Sequence, residues 1–147
     1  MLRKRVPKRD DGVICELVER LLLPFAQQTK PGLRLNRSTI RNRLQLCITF
    51  VDAAAGDKAA GFIALKRERG RLLIDMLAVN PKYQGQGIGS RLMLQAQRTA
   101  NTYGLREIVL WVDEDNLQAQ RFYIKHGYEA VYYEHGLRCY LLRKAVD

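Results

Sequence analysis

The segment Gln84-Gly85-Gln86-Gly87-Ile88-Gly89-Ser90 constrains this chain more than any other. It lies between a strand-like run, Leu72 to Val79, and a helix-like run, Ile88 to Tyr103, with a turn at Pro81. Glycines alternating at 85, 87 and 89 are poor choices for a helix start that binds nothing, because each costs about 1 kcal/mol relative to alanine inside a helix. What they provide is access. The first N–H groups of a helix have no intrahelical partner. With the positive end of the helix dipole, they suit a phosphate or pyrophosphate. A side chain would keep such a ligand away from the backbone. The chain is therefore read as binding a phosphorylated small molecule through a strand–turn–helix unit.

Two familiar phosphate loops do not fit. A Walker loop needs Gly-Lys-Ser/Thr, and no such run occurs. A Rossmann fingerprint follows the first strand, with an acidic residue about 20 residues on, whereas this loop lies past the middle of the chain. The spacing Gln84-x-x-Gly87-x-Gly89 instead resembles the coenzyme A loop of the GNAT N-acetyltransferase family, whose pattern is Gln/Arg-x-x-Gly-x-Gly/Ala. A second block, Asn116-Leu117-Gln118-Ala119-Gln120-Arg121-Phe122-Tyr123 followed by Gly127-Tyr128, resembles the family's Asn-x-x-Ala-x-x-Phe-Tyr segment and its Gly-Phe/Tyr ending. The two blocks stand in order, about 30 residues apart. The resemblance covers roughly residues 60 to 142, and residues 1 to 59 match in pattern only.

Length and composition set the outer bounds. A chain of 147 residues, 47% hydrophobic and 27% charged, fits a single domain (1–147) with a proper core. No apolar run approaches the roughly 20 residues of a membrane span, and the basic N-terminus lacks the apolar stretch of a secretion signal. Cys15, Cys47 and Cys139 have no metal-like spacing, and their odd number suits reduced cytoplasmic thiols. No metal site is expected. The net charge of +10 favours anionic ligands or surfaces. Its clusters are Arg3 to Arg9, Arg34 to Arg43 and Lys66 to Arg71, with little aromatic interleaving of the kind that stacks bases.

Periodicity and caps predict the elements. Residues 1 to 7 form a short strand. Asp10 or Asp11 caps a helix to about Leu23, ended or kinked by Pro24. Gln27 to Asn36 is a loop, and Ser38 caps a second helix to about Leu46. Strands follow at Cys47 to Val51, Ala60 to Lys66 and Leu72 to Val79, the last two antiparallel. The helix from Ile88 buries Ile88, Leu92, Met93, Ala96, Ala100 and Tyr103, and Gly104 stops it. Glu107 to Val112 is a central strand. Asn116 caps a helix to about His126, and Val131 to Glu134 with Leu137 to Leu142 closes the chain as a hairpin. The order βααβββαβαββ is that of the α/β, mixed-sheet GNAT acyl-CoA N-acyltransferase fold, with helices on both faces.

The resemblance implies acetyl-CoA as co-substrate and an amine-bearing small molecule or protein as acceptor. It places the backbone of Leu77, Ala78 and Val79 along the pantetheine arm like an added strand, and gives the Val79 N–H the oxyanion. It gives the pyrophosphate to the N–H groups from Gln84 through Gly85, Gln86, Gly87, Ile88 and Gly89 to Ser90. Tyr123 is the general acid: an ordinary phenol, pKa about 10, is protonated at neutral pH. Asn116 caps its helix and contacts the arm. An alkyl ammonium, pKa about 10.4, must lose a proton before it attacks. Asp75 is the candidate base, placed by strand alternation on one face with Leu73, Leu77 and Val79. Some relatives carry a glutamate where Leu73 stands, a departure that bears on the base. Asp113, Glu114 and Asp115 follow the next strand, where they attract a cationic amine or form a solvated loop, the latter favoured, and His126 is read as a packing or capping residue.

The function expected is direct acetyl transfer to an amine, without an acyl-enzyme. The basic surface makes a polycationic acceptor less attractive and an anionic partner such as aminoacyl-tRNA more so, with Arg34 to Arg43 as the footprint of a toxin-like enzyme. The rival reading is a non-catalytic acyl-CoA sensor or nucleic-acid-docking module, which keeps the loop and has no need of Tyr123. Both a monomer and a homodimer are compatible with the sequence.

Overall fold

Residues 1–146 are described by the computed structural model. β-branched and apolar runs pair into one seven-stranded sheet in the order β1-β2-β3-β4-β5-β7-β6. The strands are β1 (Leu2–Lys4), β2 (Ile48–Ala53), β3 (Ala59–Glu68), β4 (Arg71–Val79), β5 (Glu107–Asp113), β6 (Glu129–Glu134) and β7 (Cys139–Ala145). All neighbours are antiparallel except β4 and β5. Parallel pairing needs a crossover, which is α4 (Ile88–Thr102). Helices α1 (Pro7–Leu17), α2 (Leu23–Thr29) and α3 (Arg37–Gln45) precede β2, and α5 (Leu117–Lys125) joins β5 to β6.

Helices cover both faces. One core packs α4 residues Leu92, Ala96 and Ala100, all fully buried, against Ile63, Leu65, Leu72 and Leu110 of the strands. The other packs Ile14 and Leu17 of α1 and Ile40 and Leu44 of α3 against Phe62, Ala64 and Met76. Each fully buried leucine or isoleucine stabilises by about 1.5–3 kcal/mol, so neither face holds without its helices.

The element order matches expectation, with corrections at the N-terminal helices. The first helix begins at Pro7, whose missing N–H costs nothing at the first helical position. Asp10 and Asp11 lie inside it, buried, and pair with Arg3 at 2.8 Å and Arg5 at 2.6 Å. Asp10 still serves the helix start, accepting from the Val6 N–H at 2.7 Å. Pro24 does not end the helical run. A π-helical turn, Val18–Leu22, re-phases the chain so that Pro24 falls in the first turn of α2, and helix extends to Thr29 where a loop was expected. The cap of α3 is Asn36, not Ser38: its Oδ1 accepts from the Thr39 N–H at 2.8 Å. Tyr103, expected in the core, is 45% exposed, and the Arg67 guanidinium stacks 4.2 Å above its ring.

Candidate active site

The site begins with a fault in the sheet. Ala64 pairs with Met76 but Leu65 pairs with Ile74, so Asp75 is an extra residue, a β-bulge in β4. A bulge swaps the faces beyond it. Ile74 and Leu77 both pack on the α4 side, while Met76 and Ala78 pack toward α1 and α3. The expectation that Asp75 shares a face with Leu77 and Val79 is therefore corrected: strand alternation breaks at Asp75 itself. Asp75 reaches α3, where Arg43 donates to both carboxylate oxygens, at 2.9 and 3.2 Å.

The bulge also ends the pairing of β4 with β5. Leu72–Ile74 align with Ile108–Leu110, and no pair follows. Leu77, Ala78 and Val79 pair with Ile63, Phe62 and Gly61 on one side only. Leu77, with Ile74 to Met76 before it, lines a cavity of about 310 Å³ between the splayed strands. On one side it is bounded by Leu77, Asn116, Ala119 and Tyr123, and on the other by Leu22, Phe25, Arg43, Asp75, Trp111 and Asp113. The gap thus joins the two faces of the sheet.

The glycine loop lies at the C-terminal end of β4, after a 3₁₀ turn at Pro81–Tyr83 capped by Asn80. Gly85 and Gly87 have φ of +81° and +77°, which costs a side-chain-bearing residue about 1–2 kcal/mol. That geometry lays the loop N–H groups open. From Gly85 to Ser90 none donates to an acceptor among the described residues, whereas the Gln84 N–H is taken by the Pro81 carbonyl at 3.3 Å. Gly89 serves another purpose. A Cβ there would lie 3.0 Å from two ring carbons of Phe122, so this glycine lets α4 and α5 approach each other.

One brace was not visible in the sequence. Arg91, one turn into α4, donates Nε to Asp52 at 2.7 Å and Nη1 to the Gln86 carbonyl at 3.1 Å. Asp52 is 1% exposed on β2. The loop is thereby tied to a buried carboxylate 39 residues away in the chain, a separation without local signal.

Asn116 caps α5 through Oδ1, accepting from Ala119 N–H at 3.2 Å, and also borders the cavity. Tyr123 is buried, stacks edge-on against Phe122 and Tyr128, and its phenol is pushed up by burial. It remains protonated at any physiological pH. Glu114 is held below its usual range by Tyr133 and Arg138, so it belongs to a local network. Asp113, beside it on the cavity wall, has no cation within ion-pair distance among the described residues. Burial, then the Asp75 carboxylate, push the Cys47 thiol up to about 11. Burial also raises Cys139, which borders the cavity. Neither is a ready thiolate. Among the described residues no group of three metal-ligating side chains occurs, and no helix is long and apolar enough to cross a membrane.

A splayed parallel pair with a glycine-turned helix start at its mouth defines an acyl-CoA-type transferase architecture, and residues 16–128 match the Acetyltransferase (GNAT) family. The chain belongs to that family. It is 30% identical over 96 residues to the spermidine N(1)-acetyltransferase of Thermoplasma acidophilum, covering 65% of this chain and 60% of that enzyme. A crystal structure of Ard1 from Thermoplasma volcanium superposes with a TM-score of 0.83 at 22% identity, covering 100% and 97% of the two chains. The PaiA N-acetyltransferase of Thermoplasma acidophilum, solved in complex with coenzyme A, gives 0.78 at 21%, covering 99% and 98%. At these identities the structures speak to fold. The chain spans about 60% of the length of the spermidine enzyme and 41% of the Bacillus subtilis spermine/spermidine N(1)-acetyltransferase.

Proposed function

We propose that the protein is an acetyl-CoA-dependent N-acetyltransferase that passes the acetyl group directly to an amine. The observation that carries this reading is the opening of the β4–β5 gap onto a loop whose six N–H groups, Gly85 to Ser90, have no acceptor among the described residues. The residues fit the donor. The open edge of Leu77 to Val79 offers backbone groups to a pantetheine arm, and the loop offers donors to its pyrophosphate. When bound, acetyl-CoA supplies an activated thioester.

The chain's own groups do the rest. The Val79 N–H is the oxyanion donor. Tyr123, with its phenol raised by burial, gives a hydrogen bond to the leaving sulfur and stays neutral while doing so. Asp75 is the base, oriented by its two bonds from Arg43. No cysteine is activated for an acyl-enzyme. Three free thiols and the need for acetyl-CoA fit the cytoplasm.

The acceptor reading changes from that drawn on net charge. Of the expected tRNA footprint, Arg34 to Arg43, Arg37 and Arg43 are paired with Glu19 and Asp75 and Arg41 lies 3.9 Å from an Asp11 already held by Arg5, while Arg34 is exposed, so about half of that cluster's charge is spent within the chain. Cavity walls of Leu22, Phe25 and Trp111 beside Asp113 suit an alkyl amine with positive charge, and the curated relatives named for spermidine and spermine make polyamines the first acceptors to test. The test is calorimetric titration with acetyl-CoA, then an amine screen with wild type and Asp75→Asn. Absence of acetyl-CoA binding sinks the enzyme reading. An unchanged pH–rate profile in Asp75→Asn removes Asp75 as base.

A further inference from the structure

The basic cluster Lys66 to Arg71 takes no part in the site described above. It forms the hairpin between β3 and β4, at the end of the sheet opposite the glycine loop. The nine residues of β4 set the two ends about 26 Å apart, at about 3.3 Å per step. β5 starts level with β4, since Leu72 aligns with Ile108, so Arg106, just before β5, comes to the same end. α4 finishes there too, with Tyr103 under Arg67. Arg67, Arg69 and Arg106 are exposed, and Lys66 and Arg71 are half-buried.

None of these five cations lies within ion-pair distance of a carboxylate among the described residues. Glu68, in the same hairpin, is unpaired as well, and the nearby Glu107 is taken by Arg143. Arg71 Nε is buried without an acceptor, so packing rather than a bonded partner holds that guanidinium. Arg69 sits at the turn with φ of +53°, a conformation that disfavours any residue with a side chain. The other two such residues, Asp57 and Arg138, are both tied in ion pairs. Arg69 bears the same strain with no internal partner among the described residues. The aromatic group that the cluster lacks in sequence is supplied by the fold: Tyr103 is 45% exposed, with the Arg67 guanidinium 4.2 Å over its ring.

We infer that this end of the sheet is a docking surface for single-stranded nucleic acid. Tyr103 and Arg67 stack on a base, and Lys66, Arg69, Arg71 and Arg106 take the phosphates around it. Arginine predominates, and its planar fork meets a phosphate with two bonds where a lysine offers a point charge. Aromatic rings and guanidinium planes both stack on unpaired bases. A duplex keeps its bases stacked on one another and offers none to Tyr103. The surface stands on its own observations, apart from the acetyl-CoA reading, and a strand held there leaves the cavity open.

The experiment is fluorescence anisotropy of the whole chain with labelled oligouridine RNA, oligothymidine DNA and a duplex of the same length, at several salt concentrations. Single strands are expected to bind with a dissociation constant of about 10⁻⁴–10⁻⁶ M, weakening with salt, and each phosphate partner removed should reduce the slope by about 0.7. Arg69→Gly is expected to lower affinity about threefold while the melting temperature holds or rises, because glycine relieves the turn. Tyr103→Leu should weaken single strands at least about fivefold and leave the duplex unchanged. Lys4→Gln, which removes one charge from β1, should leave all three affinities unchanged. Binding of either strand that the hairpin variants lose supports the inference, and the tighter strand names the polymer. Absence of binding at low salt, equal losses in Arg69→Gly and Lys4→Gln, or equal affinity for strand and duplex overturns it. So does binding to phosphatidylserine vesicles that Arg69→Gly abolishes while nucleic-acid affinity stays the same. None of these outcomes bears on acetyl-CoA binding.

Discussion

Gly89→Ala separates packing from ligand binding at the glycine loop. The new methyl would sit 3.0 Å from both Phe122 Cε1 and Cζ and 3.9 Å from Val79 Cγ2. Comfortable carbon contacts are about 3.5–4.0 Å, so α4 and α5 must part by several tenths of an ångström or Phe122 must leave its rotamer. Overpacking of this kind costs about 1–3 kcal/mol. At about 3 °C per kcal/mol for a chain of this length, a 2 kcal/mol loss lowers the melting temperature by about 6 °C. Unlike Gly85 and Gly87, Gly89 has no positive φ, so backbone strain adds nothing to this figure. Phe122→Leu removes the two ring carbons in question. In that background Gly89→Ala is expected to cost less than half as much, a coupling that a double-mutant cycle by urea unfolding measures directly. Additive costs, or a Gly89→Ala melting point within 1 °C of wild type, by roughly the same conversion, would refute the argument.

Further outcomes follow from other parts of the site. Tyr123→Phe is expected to lower turnover at least about tenfold while acetyl-CoA affinity stays within a few-fold, and equal turnover at every pH removes Tyr123 from the chemistry. Asp52→Asn frees Arg91 and loosens the Gln86 carbonyl, so KM for acetyl-CoA should rise about three- to tenfold, the scale of one lost ion-pair bond, with saturated turnover unchanged. A fall in turnover alone would show that the brace does not act through the loop. The Tyr133 phenol is raised to about 12 by its bond to Glu114, against about 10 when unfolded. The stability linked to it is present in full below pH 10 and is lost as pH rises toward 12. Phenolate absorbance should show Tyr133 ionising late, as should Tyr123 and Tyr128, whose phenols are raised by burial. Glu114→Gln should return Tyr133 toward 10, and failure to do so discards the bond.

The order of elements, the glycine turn and the Asn116 cap belong to the sequence, because each is governed by neighbours within a few residues. Glycine at 85 and 87 meets a local need for positive φ, and Asn116 bonds only three positions on. Pro24 reads from the sequence as an end or a kink, and the helical run instead continues past it through the π-turn Val18–Leu22, next to the core residues Leu17 and Val18, a setting that no local pattern reports. Asp75 shows the same limit. Alternation along β4 predicts its face correctly only if β3 and β4 pair without interruption, and the bulge arises from register across strands. The partners of the arginines, the brace from Asp52 to Arg91 and the role of Gly89 against Phe122 all join residues far apart in the chain. Sequence determines what each segment can do alone. Tertiary contact decides which charges are neutralised, where the sheet opens and which polar groups are left free, since those depend on distances that exist only after the strands and helices meet.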